Sequence, residues 1–365
     1  MKTSFVRGAY LNNFEGQNFP PSIIGYSSLF PIDSRVPFPV IRLICPADLQ
    51  RISVLNTPIK YIANRTWGDV QVLFGLEKYI LDSDVVHVGD PHYYYSYQAA
   101  VLRSKNLIKK LVSTWWETIP FNNESTNAKK RIKKYSMQYI DQFLCYSQKA
   151  KECLIAEGIS EKKITVISLG VDESHFYPTK EKKSNIFTIL FVGRLVEEKG
   201  IMDVYNVFKE IAHSIKDIRL KIVGQGPLEQ QLMNLIKKDN LQNKVSLTHQ
   251  SYSTMPEVYR GANILCVPSK KTQTWEEQYG MVFIEAMASG LPIVSYQTGA
   301  IPEIVQDAGL LAGENNLKEL KKYILDLYTN KQLCHKIGTM GRERAEKIFN
   351  AHNTRKRIKT FYRQV

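Results

Sequence analysis

Two glutamates, Glu277 and Glu285, stand seven residues apart inside the stretch TWEEQYGMVFIEAMASG, which begins at Thr274. Ionised carboxylates only accept hydrogen bonds, which suits them to sugar hydroxyls and makes them poor partners for phosphate. Between them Tyr279-Gly280 reads as a turn, and from Met281 the pattern MVFIEAMA predicts a helix ended by Gly290. A helix opening on glycine offers unpaired N–H groups and a positive dipole end to a phosphate. Taken alone, the pair equally describes an α/β crossover helix carrying two solvated glutamates. Candidate phosphate-binding cations lie upstream, in Gly193-Arg194-Leu195-Val196-Glu197-Glu198-Lys199-Gly200. There Arg194 can fork onto a phosphate and Lys199 can add a point charge. The glycine spacing fits neither a Walker loop nor the dinucleotide fingerprint.

The first half offers a different chemistry. Loops after predicted strands carry Asn12 and Asn13 (in GAYLNNFEG, 8–16), Asp90 and His92 (in GDPHY, 89–93), and Trp116 and Glu117 (in WWETIP, 115–120). Carboxylates, an imidazole, amides and aromatics together suit a sugar-like acceptor. The competing reading makes Trp115 and Trp116 caps of the core and His92 a surface residue.

These residues need a scaffold, and the hydrophobic rhythm supplies one. Apolar runs of four to eight residues alternate with helix-period segments, the signature of parallel sheets with crossover helices. Strands are predicted at Phe5–Tyr10, Ile23–Phe30, Val40–Cys45, Asp84–Val88, Ile108–Thr114, Phe143–Tyr146 and Ile164–Ser168. Helices are predicted at Gln71–Leu81, Tyr94–Arg103, Ala128–Asp141 and Gln148–Glu157. After a charged linker (173–186), strands follow at Phe187–Val192, Arg219–Val223, Val245–Thr248, Asn263–Val267 and Pro292–Ser295, with helices between and after them. The division is 1–172, linker, 187–348, and a basic final helix, 349–365, crossing back to the first domain. Ligands of such sheets sit at the carboxyl ends of strands, where the loops above fall.

With 365 residues and 44% apolar content, the chain can build two full cores. No run of 18 apolar residues and no signal peptide are read, so a cytoplasmic protein is expected, peripheral to the inner membrane face at most. The five cysteines are scattered without metal-ligand spacing, which points to a reducing compartment and no structural zinc. Net charge of +14 invites anionic partners. Between Arg103 and Lys134 nine Lys and Arg face two Glu, and the helix beginning AKKRIKKY (128–135) can dock on anionic lipid. A solvated helix face explains the same run.

Read together, FVGRLVEEKG (191–200), IVGQGP (222–227), VPS (267–269), EEQYGMVFIEAMASGLPIV (276–294) and TGAIPEIV (298–305) resemble the retaining glycosyltransferases of family 4. VISLGVDESHFYP (166–178) resembles that family's interdomain junction. The resemblance implies an α/β GT-B fold, with two Rossmann-like domains facing each other across a deep cleft. It implies transfer of a sugar from a nucleotide diphosphate sugar (UDP- or GDP-linked) to a glycan, lipid-linked or other hydroxyl acceptor, with retention and without metal or other cofactor. Carried over, Arg194 and Lys199 hold the diphosphate, Glu277 the donor sugar and Glu285 the ribose. Gly193, Gly224, Tyr279, Gly280 and Met281 complete the donor site. Asn12, Asn13, Trp116 and Glu117 are acceptor-binding candidates, and Glu117, His92 and Asp90 are catalytic candidates. The chain departs from the family at RGAYLNNFEGQNF (7–19), where a Gly-Gly loop is common, and at Trp116-Glu117, where many members have a histidine. No nucleophile is placed for double displacement, so the same-face route, with the departing phosphate taking the acceptor proton, is favoured. Rival readings are a GT-B epimerase or phosphorylase and a non-catalytic sugar- or nucleic-acid-binding module. Intact motif residues on both sides of the donor cleft argue against decay to a non-catalytic module, and nucleic acid is not the expected partner.

Overall fold

The computed structural model describes residues 1–32, 36–51, 61, 63, 65–179 and 185–365. The chain divides into two units, Met1–Leu169 with Ala351–Val365, and Gly170–Asn350. Residues 180–184 of the expected linker lie outside the described residues.

In the first unit seven strands form one parallel sheet: β1 (Thr3–Gly8), β2 (Ile24–Ser28), β3 (Val40–Leu43), β4 (Val85–Val88), β5 (Leu111–Trp115), β6 (Gln142–Cys145) and β7 (Ile164–Val166). Their order is β3-β2-β1-β4-β5-β6-β7. Central strands of such a sheet are covered on both faces, so they read as unbroken buried runs. All six residues of β1 and all four of β4 are buried. The chain starts in the middle, builds β2 and β3 to one side, then returns to the other side of β1 with β4. That reversal opens a crevice at the carboxyl ends of β1 and β4.

The second unit repeats the plan with β8 (Phe187–Val192), β9 (Ile218–Val223), β10 (Val245–Thr248), β11 (Ile264–Cys266), β12 (Ile293–Tyr296) and β13 (Gly309–Ala312). Its order is β10-β9-β8-β11-β12-β13, all parallel, with the reversal between β8 and β11. Both sheets with their covering helices are Rossmann-like.

Three departures from the sequence expectations have local causes. The helix expected over 71–81 is confined to Glu77–Ile80. Upstream, the Gln98 side chain bonds both the N–H and the C=O of Leu73, at 3.0 and 2.9 Å, satisfying groups a helix would have used. Strand β13 was not expected, because Gly309-Leu310-Leu311-Ala312 is short and glycine-flanked; only pairing with β12 makes it a strand. The short helix Asn13–Gly16 stands where a loop was read.

The helix Asn127–Tyr139 is less uniformly basic at its surface than its sequence. Lys133 points inward, 1% exposed, with Nζ 2.6 Å from Glu157 and 3.3 Å from Glu124. Lys130, Arg131 and Lys134 keep more open positions on the same helix. Among the described residues no helix is long and apolar enough to cross a membrane.

The final helix, Ala351–Gln364, packs into the first unit by burying Ile358, Phe361 and Tyr362. Tyr362 Oη lies 2.7 Å from His87 Nδ1, and His87 Nε2 lies 2.9 Å from Thr114 Oγ1. Burial, with Arg7 nearby, pushes His87 down to about 3, so the ring is neutral and needs both partners. Replacing Tyr362 with Phe strands one buried nitrogen, and urea unfolding should show a loss of about 1–2 kcal/mol. An unchanged midpoint would contradict this anchoring.

Candidate functional site

In the second unit the loops after β8 and β11 leave the sheet side by side at the reversal point. Gly200 turns the first loop with φ of 70°, and any side chain there would collide with the Pro268 carbonyl of the second. Only glycine permits so close an approach. Lys270 N then donates to Glu198 O at 2.8 Å. Its Nζ reaches the buried Asp203 at 2.8 Å, where Tyr296 Oη also donates at 2.7 Å. The two loops are thereby fixed to each other.

This clamp presents the predicted charges. Lys199 Nζ lies 2.6 Å from Glu277 Oε2 and 4.8 Å from the centre of the Trp275 ring. Ser269 Oγ donates to the same Oε2 at 2.9 Å, and Thr298 Oγ1 holds the Ser269 carbonyl at 2.5 Å. The Glu277 carbonyl accepts from Ala300 N at 2.8 Å, so the residue is pinned at both ends. Glu277 Oε1 has no partner among the described residues. The two charged side chains are only 15% and 8% exposed, so water weakens their attraction little. Arg194 differs: its side chain is 62% exposed, 3.6 Å from Glu198, and free to reorient.

The other donor-side candidates fall nearby with unequal roles. Gly193 N bonds Val223 O at 3.1 Å, and Gly224 packs its backbone against the Gly193 carbonyl, where a side chain could not fit. Gly280 begins the helix Met281–Ala288 without a side-chain cap, as expected of an anion-accepting start. Tyr279 is buried at 2% exposure and serves the core. Glu285 lies one turn inside that helix, accepting from Tyr259 Oη at 2.7 Å. Burial pushes its carboxyl up to about 7, although hydrogen bonds from Tyr259 and Tyr252 oppose the shift.

In the first unit the reversal between β1 and β4 gathers a cluster that sequence reasoning did not name. Arg7 Nε lies 2.8 Å from Glu15 Oε2, both side chains buried, and Tyr146 Oη donates to Glu15 Oε1 at 2.8 Å. Arg7 Nη1 and Tyr95 Oη are buried beside Gly89 with no hydrogen-bond partner among the described residues. Next to them Asp90 accepts from Trp116 N at 2.9 Å. Burial raises the Asp90 carboxyl to about 7 against the pull of Arg7. His92 packs at a tilt against Tyr93, ring centres 4.2 Å apart, and is held neutral by burial, with Lys129, Lys133 and Arg7 adding to the effect.

Two acceptor-side candidates are committed locally. Asn12 caps the helix Asn13–Gly16, accepting from Glu15 N at 2.9 Å and donating to Tyr10 O at 2.8 Å. Asn13, only partly buried, opens that helix. Glu117 accepts from the N–H groups of Thr118 and Ile119 and from the amides of Asn122 and Asn123, at 2.7 to 3.3 Å. With both oxygens engaged it closes its own loop. Trp116 stands edge-on to Tyr146, ring centres 4.4 Å apart. Ser269 is the other residue missed; the segment Val267-Pro268-Ser269 marked its loop, yet nothing local said its hydroxyl would meet Glu277. Among the described residues no group of three or more His, Cys, Asp or Glu could hold a metal ion.

Comparison with known proteins gives consistent matches. The family described as glycosyl transferases group 1 matches residues 172–344, and glycosyltransferase family 4 matches 38–175. An uncharacterized glycosyltransferase of Methanocaldococcus jannaschii is 31% identical over 217 residues, covering 59% of this chain and 57% of that protein. A phosphatidylinositol N-acetylglucosaminyltransferase subunit of Arabidopsis thaliana is 24% identical over 312 residues, covering 83% of this chain and 67% of that protein. This chain thus spans between about half and two thirds of these relatives' length. The crystal structure of Anabaena HepE in complex with UDP superposes with a TM-score of 0.77 at 16% identity, covering both chains completely. That likeness establishes the fold as GT-B.

The Glu285 carboxyl carries a pH dependence with a definite sign. Unfolded, it titrates near 4.5; folded, it is pushed up to about 7. Folding therefore takes up a proton between these values, and the stability it contributes, complete below 4.5, is lost as pH rises through 7. Glu285→Gln should gain about 3 kcal/mol relative to wild type between pH 4.5 and pH 8. Parallel stability curves for the two proteins across that range would refute the assignment.

Proposed function

The chain belongs to the group 1 glycosyltransferases, and from that premise we propose that it moves a sugar, with retention, from a nucleotide diphosphate sugar to a hydroxyl acceptor. The observation that carries the reading is the Lys199–Glu277 pair, fixed with Ser269 where the second unit's sheet reverses. Breaking the bond between the anomeric carbon and the phosphate oxygen leaves negative charge on the diphosphate. Lys199, the exposed Arg194 and the uncapped start of the helix at Met281 oppose that charge where it develops. Glu277 Oε1 accepts from a donor-sugar hydroxyl, and Glu285 serves the ribose. The acceptor oxygen bonds to the anomeric carbon on the face the phosphate leaves, and its proton passes to the departing phosphate oxygen. With two cations assigned to the diphosphate, the reading calls for no metal.

The donor is UDP- or GDP-linked; UDP sugars come first for testing, since the similarly folded HepE was solved with UDP. A panel of nucleotide sugars should reveal transfer that falls about a hundredfold or more in Arg194→Ala, Lys199→Ala and Glu277→Ala. Intact transfer in all three would end the site assignment.

Charge favours an anionic setting for the acceptor. The first unit holds 26 Lys and Arg against 14 Asp and Glu, while the second holds 23 against 21. Nearly all of the excess therefore sits on one unit, which we assign to a glycan or lipid-linked acceptor at an anionic membrane surface. Flotation should recover the protein with vesicles rich in anionic lipid, less so at high salt, and not with neutral vesicles. Equal recovery with both would remove the membrane setting.

A further inference from the structure

Resting on the reading of Lys199 and Glu277 as the donor site, we infer that Glu277 also selects against the spent nucleotide and so drives its release. The geometry carries this. Glu277 Oε2 is fully engaged by Lys199 Nζ at 2.6 Å and Ser269 Oγ at 2.9 Å. The backbone behind it is tied by Ala300 N, and the two bonds at Oε2 hold the carboxylate beside Lys199. A lysine ammonium has three tetrahedrally arranged donors, and the Trp275 ring covers part of its surface. A phosphate oxygen bound to another of those donors therefore lies about 4 Å from Glu277 Oε2.

Two anionic groups held that close repel each other, and a site largely withdrawn from water screens them poorly. With the intact donor, a sugar hydroxyl donates to the otherwise unpartnered Glu277 Oε1 and offsets the repulsion. After transfer the sugar is gone; once the proton taken from the acceptor passes on to water the diphosphate carries an additional charge, and the carboxylate faces it with Oε1 unsatisfied. The one residue thus favours the sugar nucleotide and disfavours the bare diphosphate. Arg194 with Glu198 does not impose the same discrimination, because Arg194 is largely exposed and can move away from Glu198.

Calorimetric titration of the full chain with UDP, GDP and ADP tests this. Glu277→Gln keeps the shape and a hydrogen-bond acceptor for Ser269 but removes the charge. It should bind the preferred nucleoside diphosphate at least about fivefold more tightly than wild type, while transfer from the sugar nucleotide falls. Glu277→Ala should tighten the bare nucleotide in the same direction, and the gain in both variants should shrink at high salt. Unchanged or weaker nucleotide binding in both folded variants overturns the inference, even where Lys199→Ala still weakens binding and the donor site stands. If Lys199→Ala binds as well as wild type, or wild type binds none of the three, the donor-site reading falls and the inference with it.

Discussion

A lysine and a glutamate held 2.6 Å apart, both largely withdrawn from solvent, set the terms for the second unit. Such a pair is costly to desolvate and persists only where hydrogen bonds complete it. Here Ser269 supplies one, and the Asp203, Lys270 and Tyr296 contacts hold the loop that carries Ser269. Loops after β8 and β11 must meet for that arrangement to exist, and they meet because the strand order reverses between them. Topology places the charges, glycine lets the backbones touch, and buried polar contacts keep them in register.

The first unit follows the same logic with a different outcome. Its reversal point buries Arg7 against Glu15 and sets Asp90 beside them. Where the second unit leaves a carboxylate oxygen of Glu277 open, the first leaves Arg7 Nη1 and Tyr95 Oη without partners among the described residues. Glu117 and Asn12, polar and loop-borne, spend their hydrogen bonds on the backbone and amides around them.

All the strands but β13 were legible because parallel sheets write themselves as short apolar runs. Strands Phe187–Val192 and Val245–Thr248 stand where hydrophobic periodicity puts them. The charged residues of the second unit were legible too, since Arg194, Lys199, Glu277 and Glu285 sit within recognisable glycine-bounded segments. Long-range partnership was not. Nothing near Ser269 announces a bond to Glu277, and nothing near Arg7 announces Glu15 or Gly89. Lys133 looked like one more surface cation until Glu124 and Glu157, from separate parts of the chain, closed around it. Glu117 looked reactive because its four hydrogen-bond donors come from a turn whose shape the sequence does not spell out.

The return of residues 351–365 to the first unit has a consequence for biosynthesis. His87 and the strands beside it wait for Tyr362, which comes near the end of the chain, whereas the second unit is complete in sequence at Asn350. On the ribosome the inserted unit can finish first, while the first unit, its seven strands already made, lacks the covering helix until residues 351–365 emerge. A chain that stalls or is clipped after Asn350 would therefore carry a complete second unit and a first unit without its Tyr362 anchor.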